Sequence, residues 1–359
     1  MPNGKQRREP AGYLVSKARD ADGKRRAQKR ENRLFDILPE SRITFGELTD
    51  WYMNSASVKK LSSYSRVNQA LKNFNSVFFN WRLDSIKQTD LEEYQILRKD
   101  HGRADATIDM EIKYAQAVVT KAFDNDKIDG RCLKSFRKTN RLLEKGSNVR
   151  KTIISIKQYL KLLQHAPAHY SAVLIIAFNT GMRLGEIKLL RWSYIDRDSE
   201  MIRLPKNVTK ESRAKDIPIN QNINSLLATI PRTLPQNDFI ITYRGLPMCG
   251  KSSLKKQFSE TCQKADIPYG RKMLNGITFH DIRRSVKTFM LHAGVDKIHR
   301  DTILGHSLKG MDAHYIVITD ESLTKAMNKY TNWLDQQINS QIVDQNVDQS
   351  RIKNEIFDR

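Results

Sequence analysis

Between residues 44 and 123 apolar side chains return every three or four positions, and few strand signals interrupt them. That period places one side of each segment on a helix face and leaves the other side polar. Thr44-Phe45-Gly46-Glu47 has the form of a capping box opening a helix with Leu48, Trp51 and Tyr52. Val67, Ala70, Leu71, Phe74 and Phe78 give a second helix over residues 65–79. Thr89-Asp90-Leu91-Glu92 reads as another capping box, followed by Tyr94 and Leu97, and Ile112, Ala115, Val119 and Phe123 extend the pattern through 108–123. The expectation is a bundle of four to five helices whose aromatic residues are core.

After residue 144 the polar stretch Glu144–Lys151 reads as a linker, and the pattern becomes mixed. Residues 155–163 and 170–178 read as helices, the second almost wholly apolar and therefore buried. Met201–Leu204 and Ala214–Ile217 read as strands paired across a polar turn. Helices are expected over 252–265, 279–292, 296–304 and 320–338. The last twenty residues read as weakly ordered, with Ile338, Ile342 and Val343 as a small docking face. The fold expected is mainly α with a small antiparallel β-sheet. Its parts are a basic arm (1–40), a helical unit (41–147), an α+β unit (148–335) and a tail (336–359).

Sixty-two Lys and Arg against 40 Asp and Glu give a net charge of +22, which favours a polyanionic partner, nucleic acid first. No apolar run is long enough to span a membrane, so a cytoplasmic protein is expected. Up to Arg33 the arm holds eleven basic and four acidic residues. Its cluster Lys24, Arg25, Arg26, Lys29 and Arg30 is either a DNA-backbone contact or a solvated tail. Cys132, Cys249 and Cys262 lie far apart and read as reduced thiols. Phosphate-binding loops, dinucleotide fingerprints, zinc-protease and serine-hydrolase motifs are missing, so neither cofactor nor metal is expected.

Cationic and polar residues sit at awkward places on otherwise apolar segments. Arg183 follows a buried helix and a glycine turn; a rigid anion grip and a plain ion pair with Glu186 both fit it. His280 and Arg283 share one helix face. His306 follows Gly305, a C-cap glycine, and Tyr315 comes nine residues later. Lys210 lies in the turn between the two strands.

TGMRLGEI around Arg183, HDIRR from His280, LGHS around His306 and Tyr315 occur in an order that resembles the tyrosine recombinase (phage integrase) family. KESRAKDIP, beginning at Lys210, resembles the family's segment with a Lys ahead of an Ile-Pro end. Val317 departs from the polar residue or His usual two places after the tyrosine. The resemblance implies a helical core-binding domain followed by an α+β catalytic domain. It implies a nucleophile, Tyr315, forming a 3′-phosphotyrosyl link, with Arg183 and Arg283 neutralising the phosphate. Lys210 would protonate the leaving 5′ oxygen, His280 would move the tyrosine proton and His306 would hydrogen-bond the phosphate. Bond energy kept in the covalent link removes the need for ATP or a divalent ion.

Implied partners are double-stranded DNA attachment sites, a homotetramer on DNA with the last helix or tail docking on a neighbour, and accessory bending or excision factors. Integration and excision of a mobile element is the leading task. A Xer-like resolvase, a type IB topoisomerase-like enzyme and a basic nucleic-acid-binding protein with Tyr315 as core remain open.

Overall fold

Thr44 caps its helix by the bonds a capping box requires: its Oγ1 accepts the Glu47 N–H at 3.2 Å, and the Glu47 carboxylate accepts the Thr44 N–H at 2.9 Å. The computed structural model describes residues 15–30, 43–232, 238–248, 250, 253–307 and 315–357. The chain falls into two compact units, Met1–Val149 and Arg150–Arg359. It is mainly helical with a small antiparallel sheet, as the sequence patterning implies, and has a second, two-stranded sheet besides.

In the first unit, α1 (Val15–Arg30) precedes a bundle of α2 (Phe45–Asn54), α3 (Ala56–Lys59), α4 (Tyr64–Phe78), α5 (Gln88–Asp100), α6 (Asp105–Asp124) and α7 (Gly130–Lys138). Helix α6 packs against α2, α4, α5 and α7. Its core is aromatic: Phe45, Phe74, Phe78, Tyr94 and Phe136 are buried, with Phe74 centred 4.8 Å from Phe45 and 4.6 Å from Phe78. Buried Glu111 accepts from Arg98 at 2.7 and 2.9 Å, Tyr94 Oη at 2.7 Å and Asn73 at 2.7 Å. Four donors offset the desolvation of that carboxylate. Two details differ from the sequence reading. Thr89 lies inside α5, and Asp90 caps it by accepting the Lys87 N–H at 2.7 Å. Leu97 and Phe123 are exposed, off the core stripe.

The second unit is built on α9 (Ala168–Thr180), nine of whose residues are buried, beside α8 (Ile156–His165). Short α10 (Leu184–Lys188) leads to β1 (Ile195–Asp196), β2 (Met201–Leu204) and β3 (Lys215–Pro218). These form one antiparallel sheet, β1-β2-β3, with Met201 opposite Pro218 and Leu204 opposite Lys215. Helix α11 (Gln221–Thr229) follows, then a hairpin of β4 (Thr242–Tyr243) and β5 (Leu246–Pro247) that the sequence reading did not resolve. Its two turn residues, Arg244 and Gly245, both have positive φ. Such a turn is usually marked by Asn-Gly, so Arg hid it.

Helices α12 (Ser253–Lys264), α13 (Phe279–His292), α14 (Lys297–Leu304) and α15 (Asp320–Phe357) complete the unit. Helix α13 has the bounds its pattern implied. Helix α15 runs well past residue 338, so the expectation of a weakly ordered tail gives way to a continuing helix. Leu323, Met327, Tyr330 and Leu334 bury its first half on the core, and Tyr330 Oη donates to the Phe178 carbonyl at 2.6 Å. Ile338 packs on that core, whereas Ile342 and Val343 are exposed. Cys132 and Cys262 are buried free thiols whose pKa burial raises, to about 11 and about 12; Cys249 lies outside the described residues.

Candidate active site

Two left-handed glycines bring the site together. Gly181 ends α9 at φ 64°, and Gly305 ends α14 at φ 71°, a region where a side chain is strained. A Cβ on Gly181 would lie 2.4 Å from Leu304 Cδ2, and one on Gly305 would lie 2.9 Å from Lys215 Cδ. Each turn therefore passes as close as backbone alone allows. The freed carbonyls of these helix ends receive Arg283: one nitrogen donates to Gly181 O at 2.8 Å, and the other donates to Leu304 O. Burial, followed by the repulsion of Arg183, pulls the Arg283 pKa below its usual value, with Glu186 and Glu211 opposing.

Arg183 caps α10, and its N–H donates to Glu186 Oε2 at 3.1 Å while its guanidinium donates to Glu186 Oε1 at 2.7 Å. The same guanidinium grips Glu211 with two nitrogens, one of them at 2.8 Å. The ion pair with Glu186 and a rigidly held Arg183 are thus one arrangement, not alternatives. Burial alone would raise the Glu186 carboxyl, but Lys215 and Arg183 hold it below the usual range.

Lys215 completes this side of the site. Its side chain is 3% exposed, and its ammonium donates to Glu186 Oε2 at 3.1 Å. Burial drives the Lys215 pKa down to about 8, Glu186 opposing and Arg283 and Arg183 adding repulsion. The sequence reading passed over Lys215 in favour of Lys210. A signal was present: Lys215 and Ile217 share the inward face of β3, and a cation there needs a buried anion.

His306 lies between Arg283 and Asp301. Its Nε2 is 3.1 Å from the Arg283 guanidinium, and its Nδ1 is 3.1 Å from Asp301 Oδ1. A guanidinium only donates, so Nε2 accepts and Nδ1 carries the proton. Burial lowers the His306 pKa, with Asp301 opposing and Arg283 and Lys287 reinforcing, so the neutral ring is favoured. Asp301 also accepts from Lys287 at 2.6 Å and pairs with Lys297 at 3.2 Å, which holds its carboxyl well below the usual range despite burial.

His280 stands in the first turn of α13, on the rim of a cavity of about 490 Å³ lined also by Arg183, Arg283, Tyr269 and Arg271. Partial burial, then Arg283 and Arg284, lower its pKa. Beneath it, fully buried Asp281 accepts from Thr278 at 2.8 Å and from Arg150 at 3.0 Å, and it pairs with Arg284. Arg150 lies 131 residues away in sequence, beyond the reach of local pattern reading.

Lys210 is exposed on the β2–β3 turn, and among the described residues neither it nor Tyr315 enters a hydrogen bond or ion pair. Tyr315 is 75% exposed, which removes a core-packing role for it. Residues 308–314 lie outside the described residues, and Ile318 lines a second cavity, about 510 Å³, with Lys215, Glu211, Gly305 and His306. The structure therefore gathers Arg183, Arg283, His280 and His306, and it leaves Lys210 and Tyr315 open to solvent. In the arm, Arg26 is exposed and pairs with Asp22 at 3.0 Å; the side chains of Lys24, Arg25, Lys29 and Arg30 lie outside the described residues.

Residues 148–322 match the model of the phage integrase family. That match takes in just under half of the chain, and over it the chain is similar to the phage integrase family. The chain is 28% identical over 170 residues to an integrase/recombinase-type protein of Haemophilus influenzae, covering 47% of this chain and 49% of that one. It is 26% identical over 141 residues to a shufflon-specific DNA recombinase of Escherichia coli, covering 39% and 32%. The chain thus spans about half and a third of the lengths of these relatives. Its fold is similar to that of lambda integrase in a dimer bound to a core site, with a TM-score of 0.62 at 16% identity over 77% of this chain and 100% of that one. It is also similar to the Tn1549 transposon integrase in complex with circular intermediate DNA, with a TM-score of 0.57 at 18% identity over 79% and 99%. Lambda integrase is further seen as a tetramer on a Holliday junction, similar at a TM-score of 0.62 and 16% identity over 85% of this chain and 89% of that one. Among the described residues no helix is long and apolar enough to cross a membrane.

Proposed function

We propose that this protein is a site-specific DNA recombinase of the integrase type, which cuts and rejoins strands through a 3′-phosphotyrosyl intermediate. The observation that carries the reading is the cavity shared by Arg183 and Arg283. Both guanidiniums are fixed from behind by buried partners, Arg283 by the Gly181 and Leu304 carbonyls and Arg183 by Glu186. A phosphodiester seated there has its non-bridging oxygens neutralised as charge builds in the transition state. Tyr315 is the nucleophile; its hydroxyl attacks the phosphorus, its proton passes to a neighbouring base such as neutral His280, and the 5′ oxygen departs. Lys210, at the mobile end of a long side chain, supplies the proton to that oxygen. The phosphate's charge beside His306 favours protonation of Nε2, which then donates to a phosphate oxygen instead of accepting from Arg283.

The helical unit and the basic arm grip the duplex through Lys and Arg, the arm by way of Lys24, Arg25, Arg26, Lys29 and Arg30. Integration and excision of a mobile element at double-stranded attachment sites, by a homotetramer in the cytoplasm, is the corresponding task. The test is a nicked suicide duplex run on a denaturing gel. Wild type gives a covalent protein–DNA band, and Tyr315→Phe binds the duplex with no band. A band that persists in Tyr315→Phe overturns the assignment.

A further inference from the structure

The outer face of Arg183, the face a phosphate would use, is already taken. Glu211 meets it with both carboxylate oxygens, a bidentate pair of the geometry an Arg also makes with phosphate. Glu186, itself anchored by Lys215, holds Arg183 from the buried side, so Glu211 is the partner that a ligand entering from solvent must replace. Glu211 comes from the turn between β2 and β3, directly after Lys210. That turn is braced: Thr209 Oγ1 donates to Arg213 O at 2.6 Å and accepts the Arg213 N–H at 3.2 Å, and Ser212 has φ 54°. The side chain of Glu211 is still 31% exposed against 18% for Arg183, which leaves a path for exchange.

We propose that Glu211 is a positioning residue that stands in for the scissile phosphate: it holds Arg183 in the DNA-free protein and yields it when a phosphodiester enters. The inference rests on the recombinase reading above for the identity of the natural ligand, but its chemistry needs only an anion. While Glu211 holds Arg183, a weakly bound phosphate is excluded, and the turn carrying Lys210 is tied to the same guanidinium. Release of Glu211 therefore frees Arg183 and the Lys210 turn together. Apparent anion affinity is the intrinsic affinity multiplied by the fraction of protein with Arg183 free. For a part-exposed bidentate pair that fraction is about 0.1 to 0.3, a 3- to 10-fold loss of affinity.

The test uses full-length protein carrying Tyr315→Phe, so that no cleavage intervenes. Binding of inorganic phosphate and of a 30-base-pair duplex is titrated, with and without Glu211→Gln. Asp216→Asn is the control, because it removes the same charge from the sheet edge, where Asp216 faces Arg203 at 3.5 Å. Glu211→Gln is expected to bind both probes about 3- to 10-fold more tightly, and Asp216→Asn to change phosphate affinity less than twofold. Glu211→Asp, which keeps the carboxylate, is expected to stay near the parent. Unchanged or weaker phosphate binding in Glu211→Gln overturns the inference, as does an equal gain in Asp216→Asn. If Glu211→Gln gains affinity while the Tyr315 protein forms no covalent adduct, the recombinase reading falls and the clamp stands.

Discussion

Replacing Lys215 by Met removes one end of a buried ion pair and tests how the site is held. Its side chain is 3% exposed and that of Glu186 is 2% exposed, so neither charge is relieved by water. Removing one partner of such a pair costs about 3–5 kcal/mol. Glu186 would keep Arg183 at 2.7 Å, which places the loss near the lower end, about 3 kcal/mol. Glu186→Gln leaves the Lys215 ammonium buried beside Arg183 and Arg283 and should cost a similar amount. In the double variant no uncompensated carboxylate or ammonium remains, so its loss should fall well short of the sum, by about 1–3 kcal/mol of coupling. Urea unfolding of all four proteins at pH 7 measures the cycle. The wild-type curve carries a second signature. The folded pKa of Lys215, about 8, lies below its ordinary value of 10.5, so the unfolded chain binds more protons between those limits. Stability from this group therefore rises with pH across that window, and Lys215→Met should lose the rise. Additive single losses, or an unchanged pH slope, would refute the buried pair.

Arg183→Ala should cut the rate of covalent adduct formation by about 10²-fold or more, since it removes a charge-assisted contact to the reacting phosphate; single-turnover kinetics on the suicide duplex measures this. Asp281, Glu186 and Asp301 all have folded pKa values below their ordinary ones. Their stabilisation is complete above the unfolded carboxylate pKa of about 4 and is lost as pH falls through the folded values, so thermal unfolding should drop below about pH 4 and Asp281→Asn should flatten the drop. Deleting residues 1–40 should weaken duplex binding and reduce the slope of log affinity against log salt, whereas an unchanged slope would leave the arm without phosphate contacts.

Longer helices were legible where one apolar face recurred with the helical period, as in Phe279–His292, because burial of that face is a local sequence property, whereas the nine-residue helices Gly130–Lys138 and Gln221–Thr229 gave too short a pattern to be read. The β2–β3 pair was legible to within one residue, since Lys215 rather than Ala214 opens the strand. Arg183, His280, Arg283 and His306, which the fold gathers, could be singled out in the sequence because each sits beside a glycine turn or near a helix start. Their supporting partners could not. Lys215 looked like one more basic residue near a hairpin, and Glu211 looked like a solvated acid until the fold placed it on Arg183. The Arg150–Asp281 pair closes over 131 residues, and no periodicity reports such a contact. The start of α5 was misplaced for a smaller reason: Thr89 and Asp90 are both capping residues, and only the backbone geometry decides that Asp90 caps Lys87.

The most direct measurement is the point of attachment in the trapped complex. Wild-type protein held on a suicide duplex, digested with trypsin and nuclease, should yield one nucleotide-bearing peptide, with a 3′ phosphate esterified to Tyr315. Attachment through Tyr269, which lines the cavity of Arg183 and Arg283, through a serine, or to a 5′ phosphate would contradict it.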